Sequence, residues 1–461
     1  MLKRLVISLL LLFMVYTTVA AEDAEYLVKF KDGEIPADCI EKLEYSGYEG
    51  VYITKDSSIG EEFSDYIEYI EPNGNVSLIE DVKEISAFSV PTDKYYPRQW
   101  QLQMIDAQGA WDIETYGNEI NVAVIDTGVS AHPDIAENIA GGYNYVMNND
   151  DFSDNDGHGT HVAGLIASVH NEIGIPGVAP KVNIYALKCI EPGVGGNLLT
   201  LSKAIKGAVD DYNCRVINMS LGTPTDYYLL KDAVEYAYSK GVIMVAAVGN
   251  DYNEVLNYPA AYEEVIGVGS VEFTKEKSDF SQYNESVYAV APGRKSISLH
   301  GTSQYAERSG TSQAAPLVAA AAAIMLSADD TVDDRKFREL IRKTSEDLGA
   351  KGYDNLFGWG LINVGRMLGE LTAAYPCYIS PVNDGRVLIY NKSENPVNTR
   401  ALLAGYDEGF KTAAFSTAII MPGQKIKLKT EMNEEKAKLL LWDFENGLKP
   451  LARARCIENN E

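Results

Sequence analysis

Three short stretches of this chain hold residue types that could do chemistry. The run Ser309-Gly-Thr-Ser312-Gln-Ala-Ala-Pro316 sets a serine in a turn of small residues that opens an apolar, alanine-rich stretch from Ala314 to Leu326. A hydroxyl placed there has the positive end of a helix beside it and free backbone N–H groups that could hold an oxyanion. The same placement suits a plain N-cap, so alone it decides nothing. In Asp156-Gly-His158-Gly-Thr-His161-Val-Ala-Gly164, glycines on both sides of His158 let the backbone pack closely and leave the imidazole exposed at a helix start. His158 and His161 are three apart on one helical face, as zinc ligands can be. The zinc motif H-E-x-x-H needs a glutamate where Gly159 stands, which argues against a metal. In Val122-Ala-Val-Ile-Asp126-Thr-Gly128 an apolar strand ends on a carboxylate, which singly reads as a turn or cap residue.

These stretches must be positioned by something, and the text around them says what. From Asn118 onward short β-branched runs alternate with helical stretches: Asn121–Asp126, Val182–Leu187, Val216–Ser220, Val242–Ala247 and Val265–Gly269. Strands of that composition are buried on both faces, and the alternation predicts an α/β fold, a parallel sheet with helices on both faces. Such sheets gather their functional groups at the carboxyl ends of the strands. The run Ala314 to Leu326 is too short to span a bilayer and is expected to be a core helix. Before this region lies mixed material, with strand-like runs at Tyr26–Lys31 and around Tyr66 to Glu71, that predicts a small α+β unit. After it, Cys377 to Glu461 shows strand runs broken by Asn, Gly and Pro turns, the pattern of a small β-sandwich. Neither a repeat nor a long low-complexity linker is visible.

Composition narrows the function classes. At 461 residues and 46% hydrophobic content the chain predicts several folded units. The net charge of −26 excludes a general nucleic-acid binder. From Glu22 to Val90 there are 18 Asp and Glu against 5 Lys, so half of the excess negative charge sits in that segment. Residues 1–21 have a basic start at Lys3 and Arg4, an apolar core from Leu5 to Val15 and small residues at Val19, Ala20 and Ala21, the three parts of a secretory signal. The five cysteines are too scattered for a zinc ribbon or a disulfide-framed miniprotein. Export would allow Cys377 and Cys456 to form a clasp across the C-terminal region, with Cys189 and Cys214 as buried thiols.

Taken together, in the order Asp126, His158, Ser312 and with Gly249-Asn250 after the strand Val242–Ala247, the boxes resemble the subtilisin family over about Asp93 to Leu368. The resemblance implies a serine endopeptidase in which Asp126 orients His158, His158 takes the proton of Ser312, and Asn250 with the Ser312 N–H holds the oxyanion. Gln313, where the family usually has Met, is the one departure. The organisation implied is a signal peptide over 1–21, an inhibitory pro-domain over 22–90, a catalytic domain over 91–369 and a β-rich accessory domain over 370–461. The pro-domain match rests on Tyr26-Leu-Val-Lys-Phe and Tyr69-Ile-Glu-Pro72.

The resemblance further implies an enzyme that matures itself, with its own pro-domain as intramolecular inhibitor and the maturation bond between Asn75 and Thr92. Its product would be a secreted, extracellular monomer with protein or peptide substrates and no membrane attachment once the signal is cut. Substrate would add as a strand beside Ser220-Leu221-Gly222, with the pocket for the side chain before the scissile bond walled by those residues and Ala247-Val248-Gly249 and floored by Asn257. A structural calcium ion is implied as well, held by backbone carbonyls of Val169, Ile173 and Ile175, by Asn171, and by carboxylates of Asp134 and Asp93. The alternatives are a processing protease dedicated to one partner, and a binding scaffold without catalysis; the intact set of four argues against the scaffold.

Overall fold

The computed structural model describes residues 26–31, 35–45, 51–56, 58–72, 91–381, 386–406, 410–429, 436–443, 449–452 and 455–458. The leader expected over 1–21 lies outside them, as does nearly all of the stretch expected to hold the maturation bond. The chain forms two compact units, Met1–Asp81 and Val82–Glu461.

The first unit is a four-stranded antiparallel sheet. Its strands are β1 (Tyr26–Phe30), β2 (Glu44–Tyr45), β3 (Val51–Thr54) and β4 (Ile67–Pro72), in the order β2-β3-β1-β4. Its core is Val28, Phe30, Cys39, Ile59 and Ile67. A core that small leaves a unit of this size marginal by itself.

The second unit is built on seven parallel strands: β5 (Asn121–Asp126), β6 (Ile139–Asn144), β7 (Asn183–Lys188), β8 (Val216–Met219), β9 (Ile243–Ala247), β10 (Val265–Val271) and β11 (Val287–Pro292). They run in the order β11-β10-β9-β8-β5-β7-β6. From β5 the chain crosses to the edge strand β6 and returns to β7 between them, and from β8 it winds outward the other way through β9 and β10 to β11. The direction changes between β5 and β8, the place where open sheets of this kind put their crevice, at the carboxyl ends. β8, β9 and β10 are buried throughout, which is why they read as unbroken apolar runs. The helices His158–Ala167 and Thr311–Ala328 pack on each other and on the sheet, and Leu198–Asp210 pairs with Tyr228–Ser239. Thr311–Ala328 has the length and hydropathy of a membrane span, but it is the buried core helix of this unit.

The C-terminal region forms two antiparallel sheets. One contains Cys377–Ile379, Arg386–Asn391 and Lys425–Lys429; the other centres on the long hairpin Val397–Tyr406 and Phe410–Ile420. Their inner faces share an apolar core that includes Ile379, Val387, Ile389 and Leu439. Among the described residues, this layer is bonded to the segment 112–115 that precedes β5. Tyr378 OH and Thr115 Oγ1 lie 2.7 Å apart, Lys425 Nζ donates to the carbonyl of Asp112, and Lys427 pairs with Glu114. Cys377 is a buried free thiol, pushed up to about 11 by burial. The expected Cys377–Cys456 clasp is therefore not formed. Cys377 belongs to one sheet, while Cys456 lies on the edge strand Arg455–Glu458 of the other.

Candidate active site

Asp126 is the last residue of β5 and is almost fully buried. Its Oδ1 accepts from its neighbour's N–H, Thr127 N, at 2.7 Å and lies 2.7 Å from His158 Nδ1. The carboxylate holds His158 above the ordinary histidine value, against the burial that by itself would lower it. The first turn of the histidine helix is fitted tightly over the strand end: a Cβ on Gly159 would stand 2.2 Å from the carbonyl oxygen of Gly128. That contact is why glycine follows His158.

A residue that sequence reasoning passed over anchors this arrangement. Asp154 is buried, and its Oδ1 accepts from Thr127 Oγ1 at 2.9 Å, Asp156 N at 3.0 Å and Gly157 N at 2.8 Å. Its Oδ2 accepts from Thr160 N at 2.8 Å and Thr160 Oγ1 at 2.6 Å. Burial pushes its carboxyl up, but the bonds from Thr160 and the backbone outweigh burial and hold it below the usual carboxylate range. Asp154 thus ties the end of β5 to the start of the histidine helix. The signal for it was a second aspartate beside Asp156 in Asp154-Asn-Asp156-Gly157, which local turn chemistry also explains.

His161 does not join His158. Its Nε2 faces the carbonyls of Ser296 and Ala306 at 3.1 and 3.2 Å, and burial lowers it to about 3. It is a neutral core histidine, which removes the zinc reading.

Ser312 is the second residue of the helix Thr311–Ala328. Its Oγ donates to the carbonyl of Ser220, just beyond β8, at 3.2 Å, and Ser220 Oγ donates back to the carbonyl of Ser312 at 2.9 Å. That carbonyl needs an outside donor because the residue four places on, Pro316, has no N–H. Asn250 lies two residues past the apolar end of β9 and Val248. Its Oδ1 accepts from Thr311 N at 2.8 Å and Thr311 Oγ1 at 3.0 Å, so Nδ2 is left to donate. The empty position of a Cβ on Gly310 is 3.3 Å from Asn250 Nδ2 and 3.6 Å from Ser312 N. Two donors, Asn250 Nδ2 and Ser312 N, therefore face the same side of Gly310, with Gln313 Oε1 nearer still, 3.0 Å from that Cβ position. Gln313 points into the core, 2% exposed, with Nε2 unpartnered.

Ser220, Leu221 and Gly222 follow β8, with Ser220 bonded to Ser312, and Ala247, Val248 and Gly249 end and follow β9, with Gly249 N bonded to Thr311 Oγ1 at 3.2 Å. Thr223 and Tyr258 exchange backbone bonds at 2.8 Å in both directions, which brings Asn257 across from Gly222. Beside the helix, Asp93 Oδ1 accepts from Asn171 N at 3.1 Å, and Asp134 Oδ2 accepts from Ile175 N at 2.9 Å and from Tyr305 OH at 3.3 Å. Asp93 Oδ2 and Asp134 Oδ1 are buried without partners, and burial raises both carboxyls, Asp134 to about 6. Two orphaned carboxylate oxygens around the Val169–Ile175 loop fit a hard cation. Among the described residues no group of three His, Cys, Asp or Glu gathers, so any such ion would need the loop's backbone carbonyls as well.

The subtilase family model matches residues 117–360, the span that carries Asp126, His158, Asn250 and Ser312. The chain belongs to the subtilase family. It is 37% identical over 337 residues to the minor extracellular protease Epr of Bacillus subtilis, covering 72% of this chain and 52% of that protein. The thermostable alkaline protease of Halalkalibacterium halodurans is 34% identical over 372 residues, 79% of this chain and 98% of that one. Among solved structures, a protease from Pseudoalteromonas arctica superposes with a TM-score of 0.57 at 26% identity, covering 61% of this chain and all of that one. As a subtilase the chain is a subtilisin-like serine endopeptidase, and the parallel sheet, the helices and the following small β layer agree with the fold expected from sequence.

Proposed function

We propose that this subtilase is a secreted endopeptidase that matures itself from a proenzyme and cuts extended protein substrates through an acyl-enzyme on Ser312. The observation that carries the reading is the 2.7 Å contact of His158 Nδ1 with Asp126. With Nδ1–H donated to the carboxylate, Nε2 is the free basic nitrogen. Ser312 Oγ attacks the substrate carbonyl as Nε2 takes its proton. The oxyanion forms beside Asn250 Nδ2 and Ser312 N, and His158 then gives the proton to the departing amine. Water repeats the sequence on the acyl-enzyme.

Substrate lies as an extended strand beside Ser220–Gly222, an alignment supported by the direct bonds between Ser220 and Ser312. In the pocket before the scissile bond, Asn257 fills depth that a glycine would leave open, so Leu, Met and Ala are preferred to Phe and Tyr. Asp251, exposed at the rim, adds only a screened attraction for cations. Asp93, Asp134, Asn171 and the carbonyls of Val169, Ile173 and Ile175 would hold a structural calcium ion, which would neutralise the two buried carboxylates. Export is supported by the leader pattern and by the relative named as extracellular. The four-stranded first unit is the inhibitory pro-domain.

A serine-directed fluorophosphonate tests the catalytic core of this proposal. It should label the mature protein at Ser312 and leave Ser312→Ala unlabelled; a folded protein that resists labelling overturns the assignment.

A further inference from the structure

Asn257 does more than fill space, because its amide is held in one orientation. Its Nδ2 donates to the carbonyl of Val248 at 3.0 Å and to Gln282 Oε1 at 2.7 Å. The direction of both bonds is settled by main-chain carbonyls, which can only accept. Val248 O requires the NH₂ side of Asn257. Gln282 Nε2 donates to the carbonyl of Val255, so the group it turns toward Asn257 is its oxygen. A flipped Asn257 would set oxygen against oxygen at both contacts. Gln282 is 1% exposed, and its own backbone N–H donates to the carbonyl of Gly249 at 3.1 Å. The two amides fit beneath Gly249 so closely that a Cβ there would stand 2.1 Å from Asn257 Nδ2 and 1.6 Å from Gln282 Oε1. Across from them, the Cβ position of Gly222 is 3.5 Å from Asn257 Cβ.

Both hydrogens of the Asn257 amide are thereby used, and among the described residues its Oδ1 has no partner and is not buried. Asn257 lies between Gly222 and Gly249, one from each of the segments that follow β8 and β9. We infer that Asn257, oriented by Gln282, offers a fixed hydrogen-bond acceptor to the residue before the scissile bond, and that the enzyme selects side chains carrying a terminal N–H donor, glutamine foremost. Glutamine has the length of the Leu and Met side chains that the shortened pocket admits, and its NH₂ reaches an oxygen that would otherwise lose its water on substrate binding. Glutamate has the same shape and offers only acceptors. A pocket built to hydrogen-bond a side chain discriminates against an isostere lacking the donor far better than an apolar pocket discriminates by size. Gln282 acts through Asn257 and is a positioning residue.

The inference rests on the pocket assignment proposed above, and the test separates the two. Fluorophosphonate labelling first establishes an active serine. Peptide anilides differing only in the residue before the scissile bond are then compared by kcat/KM. Glutamine should exceed glutamate by about tenfold or more and should also exceed methionine. Asp251→Asn, which removes the rim charge that also repels glutamate, should leave the glutamine preference in place. Gln282→Met, which frees the Asn257 amide, and Asn257→Gly, which removes it, should each bring the glutamine to glutamate ratio within about threefold of unity. That ratio is internal to one enzyme sample, so loss of folded protein does not move it. If Asn257→Gly fails to fold, Gln282→Met decides. A labelled wild-type enzyme with a ratio near one overturns the inference and leaves the protease reading standing. So does a ratio that survives both pocket variants or vanishes in Asp251→Asn.

Discussion

Ser220 and Ser312 are joined by reciprocal hydrogen bonds, Ser220 Oγ to the carbonyl of Ser312 at 2.9 Å and Ser312 Oγ to the carbonyl of Ser220 at 3.2 Å. The first exists because Pro316 cannot supply the helical donor. The second places the nucleophile's hydroxyl on the same carbonyl that a substrate strand beside Ser220–Gly222 would use. Replacing Ser220 by Ala strands the Ser312 carbonyl. In a Ser312→Ala background, where autolysis is absent, Ser220→Ala should cost about 1–3 kcal/mol of stability by urea unfolding. An unchanged midpoint would mean that water replaces the hydroxyl.

Maturation depends on the same serine. Expressed without other proteases, Ser312→Ala should retain the segment before the catalytic region, and its N-terminal sequence should begin before Asn75. Clean maturation of that variant would assign the cut to another enzyme.

The oxyanion donor gives a separate expectation. Asn250 Nδ2 is aimed by the two bonds from Thr311 and matters only as negative charge develops, so Asn250→Ala should lower kcat by about a hundred- to a thousand-fold with little change in KM. A rise in KM with kcat intact would show that Asn250 binds the ground state instead.

Activity should fall on the acid side. His158 must be neutral to accept a proton from Ser312, and Asp126 favours its charged form, so the inactive protonated state persists above the ordinary value of 6.5. The acid limb of kcat/KM should therefore have its midpoint above 6.5. A midpoint at or below this would show that burial outweighs Asp126.

Calcium should bind only the folded protein and relieve the buried carboxylates of Asp93 and Asp134. Saturating calcium should raise Tm of the Ser312→Ala protein, and Asp134→Asn should abolish most of that rise. Identical melting curves with calcium and with excess chelator would remove the site.

The sequence by itself determined the strand that ends on Asp126. Asn121–Asp126 is the strand that was expected, because an unbroken apolar run buried on both faces has no other reading of that length. The serine helix was also legible, although it extends to Thr311–Ala328, beyond the apolar run at both ends. Edge strand Ile139–Asn144 was not. It is only partly buried and contains Gly141 and Gly142, so it carries no apolar signature. The hairpin Ser296–His300 with Gln304–Arg308 escaped as well, its second strand being largely polar and partly exposed.

What only the tertiary structure decided are the long-range hydrogen bonds. Asp154 reads locally as a turn residue, and its role appears when Thr127, 27 positions earlier, and Thr160 close around it. Asn257 could be read as a floor but not as an oriented acceptor, since its orientation depends on Gln282, 25 positions away, and on the carbonyl of Val248. The Cys377–Cys456 expectation failed for a related reason. Spacing along the chain does not say which sheet a cysteine will join, and two strands of different sheets do not bring their sulfurs together by being at opposite ends of a domain. Residue type and local period set the elements. Which polar atoms meet is set by packing, because each buried donor must find an acceptor wherever the fold supplies one.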